Sequence, residues 1–146
     1  GGNVLLLNPQ SALTNIASGE VMRYVAKKGE IVTMHVPESP VFSGIEPLDL
    51  AWFRDESRHV PIACTGVYKI VAGCKDIMPL ADQCDIHGYL QQPSDLTKYE
   101  GTPLVEIRFG KGRLVASELN LEAGQTDPIA RRLLSNLIHY LTPSAP

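Results

Sequence analysis

Apolar and polar positions follow one another in a pattern that predicts strands and helices in turn, beginning with a strand. Gly2–Pro9 contains an uninterrupted run of one valine and three leucines, which an Asn-Pro pair closes as a turn. Thr14–Lys28 carries apolar residues at spacings of three and four and is followed by Gly29, which predicts a helix. Glu30–Val36 then alternates as a strand does, up to Pro37. The core strands expected from this pattern are Val4–Leu7 and Ile31–Met34.

The middle of the chain has a weaker pattern. Pro37–Pro61 is rich in proline, glycine and aspartate, and it predicts a connection that holds an apolar cluster. Ile62–Ala72 predicts a strand in which Gly66 is a candidate bend. Gly73–Glu100 mixes prolines and a glycine with short apolar pieces, so it predicts a surface loop with at most short elements.

The end of the chain predicts a hairpin followed by a helix. Leu104–Phe109 and Arg113–Leu119 alternate as strands on either side of a Gly-Lys-Gly turn. Asp127 is a suitable N-cap and Pro128 suits the first helical position. Thr142 and a proline end this helix. Its predicted apolar face comprises Ile129, Leu133, Leu134, Leu137, Ile138 and Leu141.

Composition and charge narrow the class of protein. The chain has 146 residues, of which 44% are apolar and 20% charged, as in a single ordered domain spanning residues 1–146. The net charge is -3 and no basic stretch is present, so nothing favours nucleic acid as a partner. No apolar run approaches the roughly 20 residues that cross a bilayer. The chain also begins without a basic segment and a long apolar stretch, so no signal peptide is predicted.

Several segments, taken in order, resemble a known family. They are Gly1–Leu7, Pro40–Ile45, Asp49–Phe53, Gly110–Ser117 and Asp127–Leu137. The first resembles the glycines and strand of the class I glutamine-amidotransferase-like fold. The others resemble the amidotransferase-like modules attached to bacterial glycoside hydrolases of the β-galactosidase-like and family 2-like types. The resemblance implies a flavodoxin-like three-layer α/β sandwich with a mainly parallel sheet and a C-terminal hairpin plus helix. Part of that fold would lie upstream of Gly1.

The catalytic residues that such chemistry needs are not found in the sequence. A working amidotransferase has a nucleophilic cysteine flanked by small residues on a sharp turn, with a histidine base and an orienting acid. Cys64, Cys74 and Cys84 lack that context, and their odd number without a C-x-x-C motif favours buried, inert thiols. Where the family carries its histidine and acid, this chain has Ser117-Glu118-Leu119. No catalytic residue is predicted, and a nucleophile upstream of Gly1 stays an alternative.

Weaker candidates concern metal and phosphate. The short segment Asp82–His87 contains carboxylate, thiol and imidazole side chains, and all three groups can be zinc ligands. The segment lacks the paired ligand spacing of a zinc site. A polar loop with one buried cysteine is therefore the simpler interpretation. No metal and no cofactor are predicted. The Gly-Lys-Gly segment joins two strands and is a hairpin turn, because a phosphate loop is longer and enters a helix. The metal candidates are Asp82, Cys84, Asp85 and His87, with His59 as a more distant candidate.

The aromatic and basic residues are candidates for a binding surface. Two hypotheses compete for the aromatic set: a platform for domain docking or sugar stacking, and a cap over the core of the sheet. Arg131 and Arg132, like Lys27 and Lys28, are solvated helix residues in the simplest interpretation, although the arginines could face a partner domain. The aromatic candidates are Trp52, Phe53, Tyr89 and Tyr99.

Three functions are consistent with these features of the sequence. The first is a non-catalytic accessory module of a larger glycoside hydrolase, which packs against the catalytic domain or assembles homo-oligomers. The second is a carbohydrate-binding module. The third is the remnant of an amidotransferase-like hydrolase whose nucleophile lies outside this chain. The expected partners are the catalytic domain of the parent enzyme, a carbohydrate or a second copy, with no membrane and no nucleic acid. A secreted bacterial parent would place the chain in the periplasm or outside the cell.

Overall fold

The computed structural model describes residues 2–16, 21–29, 31–52, 54–55, 60–61, 63–71, 74–86, 97–122 and 126–142. Within these residues strands account for 49% and helices for 24%, so sheet dominates the fold. Two short 3-10 helices cover Pro40–Phe42 and Asp49–Trp52. The other elements are β1 (Asn3–Leu7), α1 (Ser11–Ile16), β2 (Met22–Gly29), β3 (Ile31–Met34), β4 (Arg54–Asp55), β5 (Val60–Pro61), β6 (Cys64–Ile70), β7 (Ile77–Ile86), β8 (Thr97–Phe109), β9 (Gly112–Ser117) and α2 (Pro128–Leu141).

Seven of the strands form one mixed sheet around the long strand β8. β8 pairs antiparallel with β9 and β7, and β7 pairs antiparallel with β3. A single residue pair, Tyr68 with Thr102, joins β6 to β8, and β6 continues antiparallel to β2. Within the described residues only β1 and β9 run parallel. The separate β4–β5 pair is antiparallel.

The flavodoxin-like, mainly parallel sandwich expected from the resemblance is therefore wrong. Parallel neighbours need crossover connections of a dozen or more residues, usually a helix. Between β1 and β2 the described helix spans only six residues, and β8 and β9 are joined by a tight turn. The C-terminal hairpin and the final helix are present as predicted, with Gly110 at φ 55 in the turn.

The helix predicted over Thr14–Lys28 is also wrong. α1 ends at Ile16, and Met22–Gly29 is strand β2, which pairs with β6. β-branched and aromatic residues in this stretch suit a pleated sheet, and pairing with β6 outweighs the helical spacing. Gly29 does not cap a helix: a Cβ there would lie 2.5 Å from Cγ of Gln83, so the glycine permits close packing of β2 and β7.

The loop predicted over Gly73–Glu100 contains most of a hairpin. β7 spans ten residues and β8 begins at Thr97. Pro79 weakened the strand pattern, yet it lies at a register shift between β7 and β8, where a missing N–H does not interrupt the hydrogen bonds. The predicted strand at Ile62–Ala72 is confirmed as β6.

Buried apolar residues form two clusters, one on each face of the sheet. One cluster lies beneath α2 and the two 3-10 helices, and the other includes Leu13 of α1. α2 begins as predicted: the Asp127 carboxylate accepts hydrogen bonds from the N–H groups of Ile129 and Ala130, at 2.8 and 3.0 Å. Ile138 was expected in the buried stripe but is 52% exposed. The buried residues of α2 are Ala130, Leu133, Leu137 and Leu141.

None of the three cysteines, all of which lie in the described residues, forms a disulfide. Cys64 is buried as expected, whereas Cys74 and Cys84 are only half-buried. No described helix is long and apolar enough to span a membrane.

Candidate functional site

β1 forms an open edge of the sheet within the described residues. The N–H of Asn8 donates to the carbonyl oxygen of Ser117 at 2.8 Å, and the N–H of Arg113 donates to that of Gly2 at 3.3 Å. In a strand the N–H and C=O of one residue point to the same side, and successive residues alternate. Asn3, Leu5 and Leu7 therefore direct their backbone groups away from β9, toward the open side.

The side chains of β1 are apolar on both faces. Leu5 packs against the cluster beneath α2, and Leu6 packs against the cluster on the opposite face. Val4 and Leu7 remain 46% and 47% exposed. A continuous apolar run is typical of a strand covered on both faces and flanked by neighbours. The sequence predicted such a core strand, and the structure instead places it where its apolar surface and its backbone are both accessible. We refer to Asn3–Leu7 with this open side as the β1 edge.

Two contacts hold the β1 edge in position. Nδ2 of Asn3 donates to the carbonyl oxygen of Leu141 at 2.7 Å, which ties the start of β1 to the end of α2. At its other end, β1 leads into a turn that rests on the carboxylate of Glu118. The edge is therefore a fixed strand and not a loose terminus.

Glu118 lies directly after β9 and is fully buried. Its Oε1 accepts hydrogen bonds from the hydroxyl of Tyr68 at 2.5 Å and from the N–H of Gln10 at 2.7 Å. Its Oε2 is buried and has no hydrogen-bond partner among the described residues. The sequence indicated only that Ser117-Glu118-Leu119 replaces a catalytic pair, and the structure shows the carboxylate joining β9, β6 and the turn after β1.

The turn after β1 is strained. Asn8 and Gln10 have φ angles of 49° and 52°, in the left-handed region that L-residues avoid. Oδ1 of Asn8 is also buried without a partner in the described part of the chain. A left-handed non-glycine residue costs roughly 1–2 kcal/mol. The hydrogen bond from Gln10 to the buried carboxylate offsets part of that cost.

The tyrosines around Glu118 are held in their protonated form. Burial raises the pKa of Tyr68, and the hydrogen bond to Glu118 and the negative charge of that carboxylate raise it further. The pKa of Tyr24 is raised first by burial, then by Glu118 and Cys64. Neither phenol can act as a base near neutral pH. The carboxylate can therefore accept hydrogen bonds from Tyr68 and Gln10 and orient the turn.

Of the four aromatic candidates, Tyr99 alone has a side chain within the described part of the structure. Tyr99 lies on β8 and is 56% exposed. Trp52 ends the second 3-10 helix, but its side chain lies outside the described part of the structure, as do Phe53 and Tyr89.

The metal candidates are brought together only in part. Asp82 and Cys84 both lie on β7 and are half-buried, next to the phenol of Tyr99, whose pKa is raised by burial and then by these two groups. His87, His59 and the side chain of Asp85 lie outside the described residues. In the described part of the chain no three His, Cys, Asp or Glu side chains are placed to hold a metal ion.

Sequence reasoning missed a contact of Asp82. Nδ1 of His35 lies 2.7 Å from its Oδ2, because Thr33 on β3 pairs with Asp82 on β7. Finding this pair required β7, which the sequence pattern did not predict.

Comparison of the chain with protein-family models, curated proteins and solved structures gives no match. The functional interpretation therefore depends on the residues described above.

Proposed function

We propose that this chain is a non-catalytic accessory module, that it docks a neighbouring domain through the β1 edge, and that the parent protein is a glycoside hydrolase. The observation that carries the docking role is the coincidence of an open backbone edge with half-exposed Val4 and Leu7. Addition of a strand from a partner domain would satisfy the outward N–H and C=O groups of Asn3, Leu5 and Leu7.

Covering the β1 edge would stabilise the assembly through apolar surface as well as hydrogen bonds. Full burial of a valine or leucine side chain contributes about 1.5–3 kcal/mol. Since Val4 and Leu7 are already about half-buried, covering the remainder of each contributes about 1 kcal/mol. A strand added here would also shield the partly exposed Leu5 and Leu6, which lie on opposite faces of the sheet.

The class of the parent protein is supported by the resemblance of individual segments. Pro40–Ile45 forms the first 3-10 helix and the turn after it, Gly110–Ser117 forms the hairpin turn and β9, and Asp127–Leu137 forms most of α2. These three segments are ordered parts of the structure, and their likeness to glycoside-hydrolase modules does not depend on the parallel sheet that proved wrong. The non-catalytic role is supported by the burial of Cys64 and by the protonated tyrosines beside Glu118.

Hydrogen–deuterium exchange tests the docking role. The isolated chain and the complete natural protein that carries it would be compared peptide by peptide. We expect residues 3–7 to exchange rapidly in the isolated chain and to be protected in the complete protein. β9 pairs on both sides, with β1 and β8, and serves as the internal control that is protected in both. Equal exchange of residues 3–7 in the two samples would contradict docking through this edge.

An activity assay tests the other two functions. The isolated chain should hydrolyse neither glutamine nor aryl glycosides, and it should show no saturable binding to simple sugars in calorimetry. Hydrolysis that Cys64→Ala, Cys74→Ala or Cys84→Ala abolishes would instead support a catalytic role. Sugar binding with an unprotected β1 edge in the complete protein would support a carbohydrate-binding module.

A further inference from the structure

A cleft lies between the first turns of α2 and the segment that follows the first 3-10 helix. Its volume is about 670 Å³ and its walls include Gly44, Arg131, Arg132, Ser135 and Asn136. Small-molecule sites commonly have volumes of about 300–1,000 Å³. Arg132 lies nine residues before Leu141, where α2 meets β1, so the cleft is about 14 Å along the helix from the β1 edge.

Hydrogen bonds from one lining residue join the two sides of the cleft. Nδ2 of Asn136 donates to the carbonyl oxygens of Val41 and Ser43, at 3.0 and 2.9 Å, and so ties α2 to the first 3-10 helix. Val41 and Phe42 are buried in the core beneath. The shape of the cleft is therefore set by the fold before any ligand binds.

Arg132 is seated against the backbone of Gly44. A Cβ at position 44 would lie 2.6 Å from Nη1 of Arg132, and Gly44 has a φ of 70°, which favours glycine. The guanidinium therefore occupies space that a side chain at position 44 would fill. This contact places a planar group with five N–H donors at the wall of the cleft.

The donors of Arg132 are available to a ligand. Within the described residues Arg132 forms no ion pair, and no described acceptor takes a hydrogen bond from it. Asp127 already accepts from the N–H groups of Ile129 and Ala130, so the guanidinium and not the end of the helix supplies donors to the cleft. The side-chain amide of Asn136 already donates to backbone carbonyl oxygens. The exposed Ser135 adds a hydroxyl group to the lining of the cleft.

We propose that this cleft binds a small organic anion and that Arg132 holds its carboxylate or phosphate group through paired N–H donors. A guanidinium fork matches the two oxygens of such a group, which an ammonium does not. Arg131 lies at the same wall of the cleft. The site is separate from the β1 edge and stands independently of the docking role.

Titration of the amide resonances of Gly44 and Asn136 with inorganic phosphate, and separately with citrate, tests the site. We expect saturable shifts of both amides with at least one of the two anions, and the anion that binds identifies the preferred oxygen group. Arg132→Gln should weaken binding by at least about tenfold, since a charge-assisted pair is lost, while Arg132→Lys should weaken it less. Arg132 is exposed, so neither variant is expected to unfold.

Arg23→Gln is the matched control, because Arg23 is an exposed arginine on β2 outside the cleft. It should leave the titration unchanged, as should Val4→Lys on the β1 edge. The proposal is overturned if sodium chloride at matched ionic strength produces the same shifts, if neither anion gives saturable shifts, or if Arg132→Gln binds as tightly as the unchanged chain.

Discussion

The Glu118 carboxylate holds the backbone of a turn on a neighbouring strand. Through one oxygen it joins the hydroxyl of Tyr68, 50 residues away, to the N–H of Gln10, 108 residues away. The left-handed turn at Asn8 and Gln10 persists because that carboxylate and the pairing of β1 with β9 both constrain it. The position of the turn after the β1 edge thus depends in part on one buried side chain.

Tyr68→Phe is expected to lower the free energy of unfolding by about 1.5–3 kcal/mol, because it removes a hydrogen bond to a buried carboxylate. Tyr24 is the matched control. Its ring lies 5.8 Å from that of Tyr68, and the structure shows no hydrogen bond from its hydroxyl to a described residue. Tyr24→Phe should therefore change stability by no more than about 0.5 kcal/mol. Urea unfolding measures the free energy of unfolding of both variants. Equal losses of stability would show that the hydrogen bond to Glu118 does not account for the effect of Tyr68→Phe.

The stability of the chain should fall above about pH 10. An unfolded tyrosine titrates near 10, whereas burial and Glu118 raise the pKa of Tyr68 in the folded protein. Above pH 10 the unfolded state has released a proton that the folded state retains, so the free energy of unfolding decreases as pH rises. Below pH 10 this contribution is fully present.

Urea midpoints and phenolate absorbance between about pH 8 and pH 11 would measure this dependence. In the Tyr68→Phe variant the free energy of unfolding should fall less steeply as pH rises. Some decrease should remain, because the pKa of Tyr24 is also raised in the folded protein. A variant whose slope equals that of the unchanged chain would exclude Tyr68 as the origin.

Local sequence signals predicted some single residues well. Asp127 was predicted as an N-cap because the capping contact spans only two or three residues. The burial of Glu118 could not be predicted, since its partners come from other strands. The same reason hid the pair of His35 and Asp82, which are 47 residues apart.

The elements that the sequence predicted correctly are those that local contacts determine. The hairpin of β8 and β9 follows from alternation on either side of a glycine turn, and α2 follows from its cap and its apolar spacing. β2 and β7 were mistaken because their partners, β6 and β8, decide their conformation. Gly101 illustrates the point: its φ of 148° and its packing against the carbonyl oxygen of Tyr68 occur next to Thr102, where β8 pairs with β6, a strand distant in sequence.

The faces of α2 can be checked by matched truncations. Leu137 is fully buried and Ile138 is 52% exposed, on consecutive positions of one helix. Leu137→Ala should cost about 2–5 kcal/mol, because it leaves a cavity in the core. Ile138→Ala should cost less than about 1 kcal/mol. Asp127→Ala should fall between them, at about 0.5–2 kcal/mol for a lost cap. Denaturant midpoints in which Ile138→Ala is the most damaging would reverse the assignment of faces.

Across the whole molecule, the sheet has edges where the sequence predicted a core. The apolar run of β1 predicted a strand with neighbours on both sides. The strand is present, but among the described residues it pairs only with β9 and therefore lies at an edge of the sheet. β3 likewise pairs only with β7 there. No sequence pattern distinguishes a strand that its own fold covers from one that a partner covers, because both need the same apolar residues.

The isolated chain should therefore self-associate through the β1 edge as its concentration rises, since unpaired strand edges with apolar side chains pair with other chains. Val4→Lys should suppress this association, because a lysine at an edge must stay hydrated. Val71→Lys is the matched control: Val71 is 55% exposed, against 46% for Val4, and it follows β6, which is separated from β1 by β9 and β8. Sedimentation velocity over a range of concentrations would compare the three proteins, and urea midpoints would check that each remains folded. If Val71→Lys suppressed association as strongly as Val4→Lys, general surface hydrophobicity would account for it. If only Val4→Lys did so, the same substitution in the complete protein should expose residues 3–7 to hydrogen exchange, because the edge lysine would oppose pairing with a neighbouring domain as it opposes pairing with a second copy.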